Sequence, residues 1–285
     1  MKILDLTTQK LGLQSFSDIW LLQRELVEAR AADLIDDTLI LVEHEPVYTV
    51  GRAVTTVARE EQTAAALATG DVVTFPSEIK VPRVGSVPVF AVERGGQWTY
   101  HGPGQLVGYP IFKLHNHDLR HFLRETEQAL MQVLKKEFHL DVKPCPETLL
   151  LEPNQLQTGV WLHDQKIASL GISVRKWVTY HGFALNVAPD LRYFEAIEPC
   201  GFNGSVMTSI LAHLDRVGSK MSSSGRAEPA IDLMTRAKRA VMDEFTWRFG
   251  DATTTAANPV LPTNNTTLPT WKALTPDLLE RLRNV

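Results

Sequence analysis

The chain has 285 residues, 44% of them hydrophobic and 22% charged, a composition that fits an ordinary globular protein able to bury its own core. Its 29 basic and 33 acidic residues leave a net charge of −4, which argues against a general nucleic-acid binder. No apolar run reaches the roughly 20 residues that span a bilayer, and Asp5 interrupts the first apolar positions, so neither a membrane segment nor a signal peptide is predicted and a cytoplasmic setting is expected.

In chain order, a short strand is expected at residues 3–6. Ser17 is placed to cap a helix carrying Ile19, Leu22, Leu26 and Ala29 at helical spacing. A buried strand at 39–42 runs into a polar loop, 43–52, closed by Gly51. His44 stands there between Glu43 and Glu45, but carboxylates adjacent in sequence rarely converge on the histidine between them, so it is not read as a metal ligand. Residues 53–92 read as a long loose excursion ending in a strand at 89–92.

The densest cluster of unusual residues follows. Arg94, Gly95, Gly96, Gln97, Trp98, Thr99, Tyr100 and His101 run into Gly102-Pro103-Gly104-Gln105, and glycine and proline there shape a loop around polar groups suited to holding a ligand. A strand over 106–112 leads away from it. Asp118 is predicted to cap the longest helix, with Leu119, Phe122, Leu123, Leu130, Val133 and Leu134 as its apolar stripe. His115, His117 and His121 ahead of it are explained by a solvated helix start more simply than by metal.

Four β-rich segments, 148–152, 158–162, 166–175 and 177–187, then predict an antiparallel sheet and an α+β class. An irregular segment reaches Pro199-Cys200-Gly201. A Ser/Gly link at 218–226 precedes a helix at about 228–249, which presents Ile231, Met234, Ala237, Val241 and Phe245 on one face. Residues 251–270 have linker composition and 271–285 a short amphipathic helix, so the main domain is expected over 1–250.

Only Cys145 and Cys200 are present, without paired spacing, so no disulfide framework is expected. Cys200 sits at a Pro-Gly bend, which favours an exposed thiol; reactivity further needs a nearby positive charge to favour the thiolate. Lys166, at the start of a strand and followed by the small run Ala168-Ser169-Leu170-Gly171, is a candidate for that charge. His181-Gly182-Phe183-Ala184 repeats the pattern of a polar residue beside small ones.

The blocks Arg94 to Gln105, Lys166 to Gly171, His181 to Val187 and Pro199-Cys200-Gly201 together resemble the lipoyl(octanoyl) transferases, in order and spacing over roughly residues 38–215. The resemblance implies a single domain like those of the biotin and lipoate protein ligases, a mixed α/β arrangement with a central, mostly antiparallel sheet flanked by helices. It implies transfer of an octanoyl group from octanoyl-acyl carrier protein to a lysine of lipoyl domains in 2-oxoacid dehydrogenase complexes and of the glycine cleavage H protein. No metal, nucleotide or other cofactor is implied.

Cys200 then corresponds to the nucleophile and Lys166 to the lysine beside it. Arg94, Gly95, Gly96, Gln97, Trp98, Thr99, Tyr100 and His101, with Ser169, Leu170 and Gly171 and with Gly182, Phe183 and Ala184, correspond to the substrate-binding segments. Arg52, Arg94, Arg175 and Lys176 are expected to form a docking patch for acidic partners. Two alternatives keep some of these features: an ATP-dependent lipoate ligase, which leaves Cys200 without a role, and a non-catalytic lipoyl-domain or carrier-protein binder, which leaves both Lys166 and Cys200 without one. The sequence departs from the family in two places that touch none of the matched blocks: the excursion between Arg52 and Arg94 is longer than usual, with extra turn-rich residues near Pro76 to Pro88, and the tail after about residue 250 is additional.

Overall fold

The Val-, Ile- and Leu-rich runs assemble into two sheets in the computed structural model, which describes residues 1–7, 11–54, 77–82, 84–145, 158–199, 203–221 and 230–250. Strands β1 (Lys2–Asp5), β2 (Thr38–Val42), β7 (Gln105–Ile111), β11 (Val178–Asn186), β10 (Gln165–Arg175), β9 (Gly159–Leu162) and β8 (Val142–Lys143) lie side by side in that order. Only the β1–β2 pair is parallel; every other neighbour pair in this sheet is antiparallel. A smaller sheet orders β4 (Glu78–Val81), β5 (Gly85–Ala91), β3 (Val47–Val50) and β6 (Trp98–His101). With helices packed on the large sheet, the fold is α+β, as its sequence predicts.

Period-two alternation assigns each strand residue a face. In β2, Leu39 and Leu41 join the core under helices α2 (Leu119–Phe138) and α4 (Ala230–Phe249), whereas Ile40 and Val42 join the core under α1 (Phe16–Ala31). On α4, Met234, Ala237, Val241 and Phe245 are buried, and Phe245 stacks near Phe183 of β11 with ring centroids 5.3 Å apart. Asp118 caps α2 by accepting from the His121 N–H at 2.9 Å, and His139, left-handed with φ 54°, ends it.

Three boundaries differ from expectation. The N-cap of α1 is Ser15, because Phe16 already takes helical geometry to pack against Trp20 and His44; Ser17 Oγ lies 2.9 Å from Ser15 Oγ. Residues 98–101 form a strand, since β3 supplies a complete antiparallel ladder for them. The first residues of the expected 218–226 link extend α3 (Ile210–Met221). Residues 148–152, the linker and the terminal helix lie outside the described residues, as does most of the 53–92 excursion. No helix among the described residues is long and apolar enough to cross a membrane.

Candidate active site

The large sheet's face opposite α2 and α4 carries the unusual residues. In β10 a register shift between Lys166 and Ala168 puts Lys166 opposite Trp161 and Ser169 opposite Gly159, on the same face as Ala184 and Asn186 of β11 and Gln105 of β7. The small sheet's strand β6 comes over this face. Between the two sheets is a narrow cleft of about 40 Å³.

Most of the expected binding residues meet in this cleft. Arg94, Gly95, Gly96, Trp98, Thr99 and His101 line it from one side, and Ser169, Leu170, Gly171, Gly182, Phe183 and Ala184 from the other. The Leu170 and Phe183 side chains belong to the helix-side core, so they border the cleft without walling it with their apolar bulk. Gln97 and Tyr100 are not among the lining residues. Alternation turns Tyr100 to the far side of β6, where it stacks on Tyr193 at 4.4 Å, and the Gln97 carbonyl accepts from the Gly51 N–H at 3.0 Å.

Glycine at two of these positions is a matter of space. A Cβ on Gly171 would lie 3.1 Å from Arg94 Cδ and 3.2 Å from the Gly95 carbonyl oxygen; one on Gly182 would meet the Gly108 carbonyl oxygen at 2.0 Å. Arg94 itself is 8% exposed, held by Nη2 donating to the Thr49 carbonyl and to Thr49 Oγ1, both at 2.8 Å. It shapes the cleft and cannot belong to a surface docking patch, which corrects that expectation. Beside Gly182, His181 has φ 55° in the middle of β11 and donates its N–H to Gln23 Oε1 at 2.7 Å. A non-glycine residue in this conformation costs on the order of 1 kcal/mol, offset here by burial and pairing. Burial also lowers the pKa of His181 despite Glu93 at 3.5 Å.

Lys166 is 1% exposed, with Nζ 5.7 Å from the centre of the Trp161 ring. Its room comes from Gly159: a Cβ there would lie 2.4 Å from Lys166 Cε and 2.7 Å from the Ala168 carbonyl oxygen, and φ is +148°. Glu127 of α2 fixes that glycine by accepting its N–H at 2.6 Å, and burial raises the Glu127 pKa. Neither Gly159 nor Glu127 stands out in sequence, because a glycine before a strand and a glutamate on a helix are both common.

Cys200 lies outside the described residues. The chain on both sides of residues 200–202 is attached to this region: Pro199 bridges to Trp98 in β6, and Met207 bridges to Lys166, with the Thr208 N–H donating to the Lys166 carbonyl at 2.9 Å. From Thr208 a hydrogen-bonded chain continues through Asn186 and Gln105 to His101. Burial, with a further contribution from His44, lowers the pKa of His101 to about 3, and burial lowers that of His44 to about 4. Both rings are thus neutral near pH 7. His44 is a core residue, 2.8 Å from the Tyr109 hydroxyl and 3.1 Å from the Gln14 carbonyl.

Comparison with known proteins agrees with this arrangement. The profile of the lipoyl protein ligase A/B catalytic domain family matches residues 16–223. The octanoyltransferase of Rubrobacter xylanophilus is 40% identical over 206 residues, 72% of this chain and 82% of that protein. That of Nostoc punctiforme is 39% identical over 202 residues, covering 70% and 75%. Among solved structures, lipoate-protein ligase A bound with ATP superposes with a TM-score of 0.54 at 14% identity, over 87% of this chain and 86% of that one. Protein Ta0514 of T. acidophilum gives 0.53 at 16% identity, over 87% and 85%. At such low identity the two structures establish the shared fold. With the family profile and relatives at up to 40% identity, the chain belongs to the octanoyltransferases of the lipoyl protein ligase A/B catalytic family.

Proposed function

We propose that this octanoyltransferase of lipoate biosynthesis works through a thioester on Cys200, with Lys166 as the group that holds and moves the proton. The observation that carries this reading is the buried Lys166 on the cleft face, bridged to Met207 on one side of the Cys200 segment while Pro199 on the other side bridges to β6. A cation near the thiol favours the attacking thiolate, and each unit by which the thiol pKa falls is worth about 1.4 kcal/mol of that preference.

In the first half-reaction the Cys200 thiolate attacks the thioester carbonyl of octanoyl-acyl carrier protein. The bond to the carrier sulfur breaks, and that sulfur leaves with a proton from Lys166. One thioester replaces another, so the step is close to neutral in free energy and needs no nucleotide. In the second half-reaction a lysine amine of a lipoyl domain attacks the acyl-Cys200 carbonyl. The C–S bond breaks, its electron pair returns to sulfur, and Lys166, now neutral, takes the amine proton. Lipoyl domains of 2-oxoacid dehydrogenase complexes and the glycine cleavage H protein are the acceptors in this reading. His101 is a poor proton carrier here, because a base with a pKa of about 3 is mismatched to neutral pH.

Intact-mass measurement after incubation with octanoyl-acyl carrier protein should show one added octanoyl group, absent in Cys200→Ala. An unchanged mass, or equal acylation of the variant, removes the acyl-Cys200 route. Acceptor octanoylation from free octanoate and ATP alone would instead favour ligase chemistry.

A further inference from the structure

An amide side chain has an accepting oxygen and a donating nitrogen, so a row of such groups acquires a direction once one end is fixed. The fixed end here is the Thr208 carbonyl, which can only accept. Asn186 Nδ2 donates to it at 2.9 Å. The Asn186 oxygen therefore faces Gln105, whose Nε2 donates to it at 2.9 Å. The Gln105 oxygen is left for His101, and its 2.8 Å contact with Nδ1 is a hydrogen bond only when that nitrogen carries the proton. All three side chains are more than nine-tenths buried, so water does not compete for these positions.

We propose that Gln105 and Asn186 are positioning residues that lock His101 in its Nδ1–H tautomer, leaving an accepting Nε2 lone pair for an N–H group of a substrate in the cleft. Gln105 and Asn186 are direct cross-strand partners in β7 and β11, and Thr208 is bonded through its own N–H to the Lys166 carbonyl. One network thus joins the tautomer of a cleft histidine to the strand bearing the reactive lysine. A neutral imidazole suits this duty, since it accepts a hydrogen bond without adding a second positive charge beside that of Arg94. Two substrate groups share the required chemistry: the amine of the acceptor lysine, and an amide N–H on the carrier-bound donor. Only the choice between them rests on the acyl-transfer reading of the cleft.

The tautomer is measurable on the protein alone. In a long-range proton–nitrogen correlation of ¹⁵N-labelled protein at pH 7, with His101 signals assigned by their loss in His101→Gln, Nδ1 should be protonated and Nε2 unprotonated. The opposite pattern overturns the proposal, whether or not Cys200 acylates. Gln105→Met removes the acceptor and should release the Nδ1–H tautomer. Gln105→Glu keeps an oxygen that accepts from Nδ1, with the Asn186 amide turned to donate to the other carboxylate oxygen, and should restore it. Single-turnover rates of acylation and of discharge should show one half-reaction slowed about tenfold in Gln105→Met, the worth of one hydrogen bond, and recovered in Gln105→Glu. A loss confined to acylation identifies the carrier amide, and a loss confined to discharge the acceptor amine. A tautomer that survives Gln105→Met, or a switched tautomer with both rates unchanged, overturns it.

Discussion

On the face covered by α2 and α4, strands β7, β10 and β11 present Leu106, Ala168, Phe183 and Leu185; on the opposite face the same strands present Gln105, Lys166, Ser169, Ala184 and Asn186. The first set packs as an apolar core and needs only matching shapes. The second packs Ala184 into the core under α1 but also buries Gln105, Lys166 and Asn186, polar groups that each cost a few kcal/mol unless hydrogen-bonded, and for Gln105 and Asn186 side-chain pairs running from Thr208 to His101 meet that cost. One pleated sheet therefore gives one face wholly to the core and divides the other between a second core under α1 and the cleft, with single residues alternating between the two faces.

The largest expected effects come from crossing that division. Lys166→Met keeps side-chain length but removes the amine, and should lower turnover by about 10³-fold, in the range set by loss of a proton-transfer group. Its unfolding free energy should change by less than that of the core variant that follows, because methionine keeps the buried stem of Lys166 in place. Phe245→Ala, on the helix side against Phe183, should do the reverse: about 3–5 kcal/mol less stability, with turnover per folded molecule preserved. Denaturant titration beside steady-state rates reads both. Lost chemistry in Phe245→Ala with its fold intact would dissolve the comparison.

Gly159→Ala tests the border between the faces. Its new Cβ would press on Lys166 Cε and the Ala168 carbonyl at φ +148°, so stability should fall by roughly 1–3 kcal/mol and turnover should fall with it. A fully active, equally stable Gly159→Ala would show that Lys166 does not depend on this gap.

What the sequence made legible follows the same division. Helix α2 and its Asp118 cap, the strands β2, β9, β10 and β11 and the core face of α4 were readable because periodicity and capping are local signals. Most cleft residues were readable through the four matched blocks. Residues 98–101 carry the local pattern of a loop, with Gly95, Gly96 and Gly102 around them, and the ladder that makes them a strand comes from β3, far earlier in the chain. His117 gave no sign that its use is stacking on Trp177 at 4.2 Å. The Glu127–Gly159 bond and the Gln105–Asn186 pair depend on register between distant strands and helices, which no local pattern encodes.

A smaller effect is the acid sensitivity of the polar face. The pKa of His44 falls from 6.5 to about 4 on folding, so the unfolded chain takes up its proton first. The associated stability is complete above pH 6.5, declines as pH falls, and is gone below about 4. Between pH 7 and 5 the loss from His44 alone should be about 2 kcal/mol. Chemical denaturation at the two values, in the native chain and in His44→Asn, should show the difference shrinking in the variant. An equal loss in both would assign the acid sensitivity elsewhere.

The smallest effect belongs to the outer surface. Arg175 and Lys176 are exposed and both pair with Glu28, at 2.9 and 2.7 Å, so much of their field is already spent within the molecule. With Arg94 buried, a docking patch for an acidic carrier or lipoyl domain reduces to these two and Arg52. Arg175→Glu with Lys176→Glu should raise KM for the carrier by less than about tenfold, consistent with exposed pairs worth at most about 1 kcal/mol each. The increase should fade as salt screens it, and kcat should stay unchanged. A drop in kcat would mean that this edge of β10 reaches the cleft, and no change in KM at low salt would leave docking to another surface.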